Sequence, residues 1–188
     1  MNPGPADMRS DDELVRLCNE GGAAEAERAF ESLYKRHKDY VIRVALRYVR
    51  DNDAALDVLQ ETFSYVLRKF PPAGSGLELT AQFTTFLYPV IKNGAITILR
   101  KANRFPASET QEPDDLPAAP AESASDLEGL LGGLSEEHRE IVLMRFVDDL
   151  SLQEIADALG VPLGTVKSRL HLAIRKLREL PQTKSHFE

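Results

Sequence analysis

The segment from Leu150 to Leu170 constrains the fold of this chain more than any other. Ser151 stands at a helix N-cap, and Glu154 follows three residues later, the spacing of a capping box. Ile155, Ala156 and Leu159 recur at helical period, and Gly160 suits the left-handed conformation of a helix C-cap. Pro162 fits the first turn of a following helix, where its missing N–H costs little. Two helices joined by so tight a turn predict a helix-turn-helix, whose second helix enters the DNA major groove.

That second helix is sided. With Val166 as origin and about 100° per residue, Leu170, Ala173, Ile174 and Leu177 share one apolar arc. Gly164, Ser168, His171 and Arg175 point away from it, with Thr165, Lys167 and Arg178 on the flanks. A dry stripe opposite a face of hydroxyls and cations suits docking on a core and reading DNA. A solvated surface helix has the same composition, but the turn directly upstream favours DNA.

A net charge of −7 runs against that reading until it is divided along the chain. Ser32 to Arg50 holds six cations and one acid, Pro71 to Arg104 four and one, and Pro162 to Glu188 six and two. Phe105 to Leu134 holds seven acids and no cation. Attraction to phosphate is local once salt screens it, so the acidic balance leaves DNA binding open while opposing loose, charge-driven binding by the free protein.

The 188 residues hold one or two small domains, and 43% apolar with 28% charged residues is ordinary for a soluble globular protein. No apolar run of about 18 residues predicts a membrane span, and Met1 to Arg9 lacks a signal-peptide core, so a cytoplasmic protein without membrane insertion is expected. A lone Cys18, at a periodic position beside Leu14, Val15 and Leu17, reads as packing.

The pattern is all-α: two small helical domains joined by a flexible linker, the second containing the helix-turn-helix. After a disordered 1–10, helices are expected over Asp11–Asn19, Ala23–Val49, Ala54–Phe70 (capped by the acids of Asp51-Asn52-Asp53) and about Thr80–Arg104, closing a first domain at 104. Pro71 to Gly76 reads as a loop, and Pro89 predicts a kink or break in the fourth helix. In the third helix Val58, Leu59, Phe63, Val66, Leu67 and Phe70 are the apolar positions. The acidic, proline-rich stretch 105–125 has too little apolar material to order and reads as the linker. The second domain spans 126–181, with a helix over Ser135–Val147 supplying Ile141, Val142, Met144 and Phe146 to its core, and 182–188 is a tail.

With both domains laid out, three signatures carry a resemblance: Phe30-Glu31-Ser32-Leu33-Tyr34-Lys35-Arg36-His37 running into a basic helix, Asp57-Val58-Leu59-Gln60-Glu61-Thr62-Phe63, and the segment from Leu134 to Leu180. In this order and spacing the chain resembles bacterial RNA polymerase sigma factors of the sigma-70 family, specifically the small extracytoplasmic-function class. The resemblance implies a transcription initiation factor that binds core RNA polymerase, directs it to −10 and −35 promoter elements and assists melting, with an anti-sigma factor as a further partner. Asp57, Gln60, Glu61 and Phe63 match the segment that grips a coiled coil of the polymerase's largest subunit, although Phe63 taken alone reads equally as core. Asn93 matches an asparagine of the −10 reading segment, and the Pro71 to Thr80 loop matches one that captures a flipped base. Lys92, Arg100, Lys101 and Arg104 would follow the phosphates of the melted strand. Thr165, Lys167, Ser168, Arg169, His171 and Arg175 match the helix that reads the −35 duplex. The chain departs from the family at Phe86 (often tryptophan), Pro89 (usually basic), Thr97 (commonly aspartate) and Leu172 (commonly arginine).

Two other classes compete. A free-standing helix-turn-helix regulator would have no need of the Asp57 to Phe63 segment. An enzyme would need a site such as a metal held by Asp53, Asp57 and Glu61, but no histidine joins them and no glycine-rich phosphate loop exists, so neither catalysis, metal nor cofactor is expected.

Overall fold

The computed structural model describes residues 7–104 and 131–179, the side chains of 102–104 excepted. Linker 105–125, the start of the second domain at 126–130, and the tail fall outside them. The described residues form seven α-helices and no strand, and none is long and apolar enough to cross a membrane. The chain divides into two compact units, Met1–Ala107 and Ser108–Glu188.

In the first unit, α1 (Asp11–Glu20) starts at Ser10, whose hydroxyl accepts the Glu13 amide while the Glu13 carboxylate accepts the Ser10 amide at 2.7 Å. This reciprocal cap satisfies two amides that a helix start leaves unpaired. Leu14, Val15 and Cys18 are buried, and the Cys18 thiol lies 3.7 Å from the Ala26 carbonyl oxygen. Helix α2 (Ala23–Val49) packs against α1, α3 (Asn52–Leu67) and α4 (Phe83–Arg104). Leu33, Val41, Val44 and Ala45 of α2 meet a core built from Val58, Phe63 and Val66 of α3 and Leu87, Tyr88 and Ile91 of α4. Arg50 takes a left-handed φ of 53° between α2 and α3, and Asp51 caps α3 by accepting the Ala54 amide at 2.7 Å.

The expected bounds of the third helix are corrected here. Helix α3 starts at Asn52, two residues early, because Asp51 itself is the cap. It ends at Leu67 because the Lys69 and Phe70 amides turn back onto the Val66 and Leu67 carbonyls. Leu67, one of the apolar positions of the expected helix, is 53% exposed at that end. Of the kink or break expected at Pro89, the break is absent, since α4 continues through it.

In the second unit, α5 (Glu136–Phe146), α6 (Leu152–Leu159) and α7 (Leu163–Glu179) enclose Leu131, Leu134, Ile141, Val142, Met144, Leu150, Ile155, Val166 and Ala173. Phe146 does not join that core: it is 62% exposed. The helix stops there, Asp149 takes a φ of 55°, and the Leu150 amide returns to the Met144 carbonyl at 3.0 Å. Leu150 is buried where the sequence suggested Phe146.

Candidate nucleic-acid interface

The turn before α7 forms as the sequence requires. Ser151 and Glu154 complete a capping box, and Gly160 closes α6 at φ 65°, a conformation that penalises any side chain. The Val161 amide then bonds the Ala156 carbonyl at 3.1 Å. Pro162 sits just ahead of α7 and offers its carbonyl to the Thr165 and Val166 amides, one position earlier than the sequence suggested. Val166 and Ala173 are buried and anchor the helix, leaving Lys167, Ser168, His171 and Arg175 exposed and Thr165 half-buried. The Ser168 hydroxyl donates to the Thr165 carbonyl at 3.0 Å. Arg169 departs from this group: its guanidinium lies 3.1 Å from the Glu137 carboxylate of α5.

On α4, Phe86, Asn93 and Arg100 are seven residues apart and therefore lie on one stripe, since seven residues turn a helix almost two full times. Asn93 and Arg100 are exposed, and Phe86 is half-buried with its ring 6.0 Å from Phe83. Lys92 and Lys101 stand on opposite shoulders of the stripe. The Lys92 ammonium lies 6.0 Å from the Tyr48 ring, and the Tyr48 and Tyr88 hydroxyls are 2.9 Å apart. Thr97, in place of the commoner aspartate, returns its hydroxyl to the Asn93 carbonyl at 2.8 Å. The Arg104 side chain lies outside the described residues. Arg43 on α2, exposed and 5.6 Å from the Tyr40 ring, was not singled out from sequence. Its signal was the basic run of Ser32 to Arg50.

The loop between α3 and α4 is fixed at both ends. The Gly74 and Gly76 amides bond the Phe70 and Lys69 carbonyls at 2.9 Å each. Further on, the Asn19 side chain of α1 grips Leu77 twice: its amide NH₂ donates to the Leu77 carbonyl and its oxygen accepts the Leu77 N–H, both at 2.9 Å. Leu77 is buried, while Pro71, Pro72, Ala73, Ser75 and Glu78 face solvent.

A second surface lies between α2 and α3. Phe30, Tyr34, Leu56, Gln60, Phe63 and Leu67 line an open groove of about 450 Å³. Phe63 is 4% exposed and forms its floor, edge-on to Tyr34 (4.8 Å) and Phe30 (6.1 Å). Phe63 is thus both core and groove. Gln60 sits on the rim, whereas Asp57 and Glu61 are exposed on the outer flank of α3. Sequence reasoning missed Tyr34, Leu56 and Leu67 as parts of this surface; the signal was their position off the buried arc.

An ionic cluster ties α1 to α2. The His37 ring nitrogen Nε2 shares a 2.8 Å hydrogen bond with Asp11, and Arg36 pairs with the same carboxylate. Burial pushes the Asp11 pKa up, but the bond and charge of His37, with those of Arg36, outweigh it and hold the group below the usual carboxylate range. Arg36 also donates to the carbonyls of Asp7 and Arg9 at 2.8 Å each. Asp7 is itself held well below its ordinary value, chiefly by hydrogen bonds from Arg9.

Comparison with known proteins agrees with this arrangement. Residues 33–105 match the family model Sigma-70 region 2, and residues 130–179 match Sigma-70, region 4. The chain is 34% identical over 170 residues to the ECF RNA polymerase sigma factor SigL of Mycobacterium tuberculosis, covering 86% of this chain and 94% of that one. It is 33% identical over 161 residues to the RNA polymerase sigma factor CarQ of Myxococcus xanthus, covering 82% and 90%. Its fold resembles CnrH in complex with the cytosolic domain of CnrY (TM-score 0.64, 22% identity, covering 90% and 96%). It also resembles the sigma factor RpoE in complex with the anti-sigma factor NepR from Bartonella quintana (TM-score 0.59, 21% identity, covering 80% and 94%). A helix-turn-helix with a sided reading helix and a four-helix unit with a basic stripe, matched in this order, make the chain a member of the sigma-70 family, an extracytoplasmic-function RNA polymerase sigma factor acting in transcription initiation.

Proposed function

We propose that this chain divides its work among three surfaces: the α2–α3 groove holds core RNA polymerase, the α4 stripe meets the melted −10 strand, and the exposed face of α7 reads the −35 duplex. The observation that carries the reading is the groove. An open apolar trough floored by a buried aromatic suits a partner helix, and a free-standing regulator has no use for it. Gln60 and Phe63 act inside it, with Asp57 and Glu61 offering charge along its flank.

On α4, Asn93 approaches a base, and Lys92, Arg100, Lys101 and Arg104 attract phosphates. The solvent-facing part of the 71–80 loop closes on the extruded base. On α7, Lys167, Ser168, His171 and Arg175 approach base edges with Thr165 at the helix start, while Arg169 supports the helix through Glu137. The solved structure of RpoE held by the anti-sigma factor NepR, whose fold this chain resembles, supports an anti-sigma factor as a regulator of this chain also. It acts in the cytoplasm and performs no catalysis of its own.

The test is reconstitution. Purified chain added to core polymerase directs transcription from a promoter with both elements, and Gln60→Ala with Leu56→Ser lowers its affinity for core. Tight, sequence-specific DNA binding without polymerase at physiological salt would instead favour the free-standing regulator.

A further inference from the structure

The double grip of Asn19 on Leu77 joins residues 58 positions apart, and nothing in the four-helix core requires it. Leu77 already buries its side chain, so apolar packing fixes where this part of the loop sits. The two hydrogen bonds fix something else. They set the two peptide planes on either side of Leu77, because one carboxamide engages both the N–H shared with Gly76 and the carbonyl shared with Glu78. Just ahead stands Gly76 at φ 105°, where a Cβ would lie 3.1 Å from the Asn19 oxygen. Side-chain clamp, backbone conformation and the absence of a Cβ therefore belong to one joint. That joint orients the exposed stretch from Pro71 to Ser75, which turns back on itself through the Gly74 and Gly76 amides.

We infer that Asn19 is a positioning residue for promoter discrimination: it holds the base-capturing loop from α1 without itself touching DNA. The inference rests on the reading of that loop given above. Capture of an extruded base requires the loop backbone to be held within a fraction of an ångström, and a residue that fixes a peptide plane serves that need. A loosened loop admits alternative bases, so discrimination falls while the other contacts persist.

The experiment uses full-length chain with core polymerase on a promoter library randomised at both elements. Asn19→Ala removes both bonds. Asn19→Asp keeps the acceptor but sets a carboxylate against the Leu77 carbonyl. Gly76→Ala disturbs the same joint from the loop side. The expected result is a drop of about tenfold in discrimination at the melted element for Asn19→Ala and Gly76→Ala, as two lost hydrogen bonds allow. Upstream preference and core affinity stay unchanged, and the Leu77 amide exchanges hydrogen faster.

Ser75→Ala and Glu78→Ala, which alter the exposed loop directly, separate the two possible failures. If they shift downstream preference and the Asn19 and Gly76 variants do not, the positioning role is wrong and the loop reading stands. If none of them shifts it, the loop reading falls and takes the inference with it. A uniform loss at every promoter, in step with a lower melting temperature, makes Asn19 a stability residue only and also overturns the proposal.

Discussion

Arg169 of the reading helix is bound at 3.1 Å to Glu137 of α5, so a cation matched to DNA reading by family resemblance is engaged within its own domain. By helical spacing it lies about 100° from Ser168, beside the buried arc of Val166 and Ala173. The pair braces α7 against α5. Arg169→Glu weakens −35 binding, and Glu137→Arg combined with it restores much of the loss with the preferred sequence unchanged. Lys167→Ala, by contrast, changes the preference itself, with discrimination worth about 1–3 kcal/mol if Lys167 contacts guanine. Binding to a −35 library, measured for the single and double variants, separates the two roles.

Groove residues divide by burial. Leu56 and Leu67 are 41% and 53% exposed, so replacing either with serine leaves stability almost unchanged and lowers core affinity by about 1–2 kcal/mol. Phe63→Ala empties the floor and costs about 3–5 kcal/mol of folding stability in addition to affinity. Urea unfolding and direct binding to core polymerase, run on all three, test the distinction.

Asp11 makes the first unit sensitive to acid. Its folded pKa is depressed, so its contribution is present above the unfolded value of about 3.9 and is lost as pH falls through the folded one. Between pH 5 and pH 2 the melting temperature of the intact protein falls more steeply than that of Asp11→Asn. The variant is the less stable of the two at pH 7. Parallel curves would detach Asp11 from acid unfolding.

Cys18 is buried on the inner face of α1, and burial pushes its thiol up to about 11. A disulfide reagent at pH 8 therefore leaves the native thiol unmodified over minutes and reacts rapidly once urea unfolds the chain, because the thiolate is the reactive form. Titration of free thiol with and without denaturant checks this.

Local signals in the sequence carried most of the fold. The capping box at Ser151–Glu154 and the left-handed Gly160 act over four or five residues and were legible in the chain, whereas the equivalent box at Ser10–Glu13 lies where disorder through residue 10 was expected. The start of α3 was less legible, since Asp51, Asn52 and Asp53 are all competent caps and the packing of Ala55 and Val58 decides among them. Phe146 failed as a core residue for a similar reason. Where α5 ends, Leu150 returns to fill the space, a choice made by the turn at Asp149 and not by helical period. The site followed the same division. Periodicity located the face of α7 and family resemblance singled out Asn93 and its neighbouring cations on α4, whereas the Arg169–Glu137 pair, the Asn19 clamp and the groove depend on which helices meet.

Helix α2 runs 27 residues without interruption, carrying Phe30 and Tyr34 at the groove and Tyr48 beside Lys92 at the basic stripe. At about 1.5 Å per residue, the fourteen steps from Tyr34 to Tyr48 measure roughly 21 Å along a rigid rod. On the proposed division of surfaces, the helix is a ruler between enzyme and strand. Adding one residue midway would lengthen it by only about 1.5 Å but swing one end about 100° around the axis relative to the other. On that proposal, where the duplex opens relative to the polymerase is written in the number of residues in α2, and substitutions leave that number untouched.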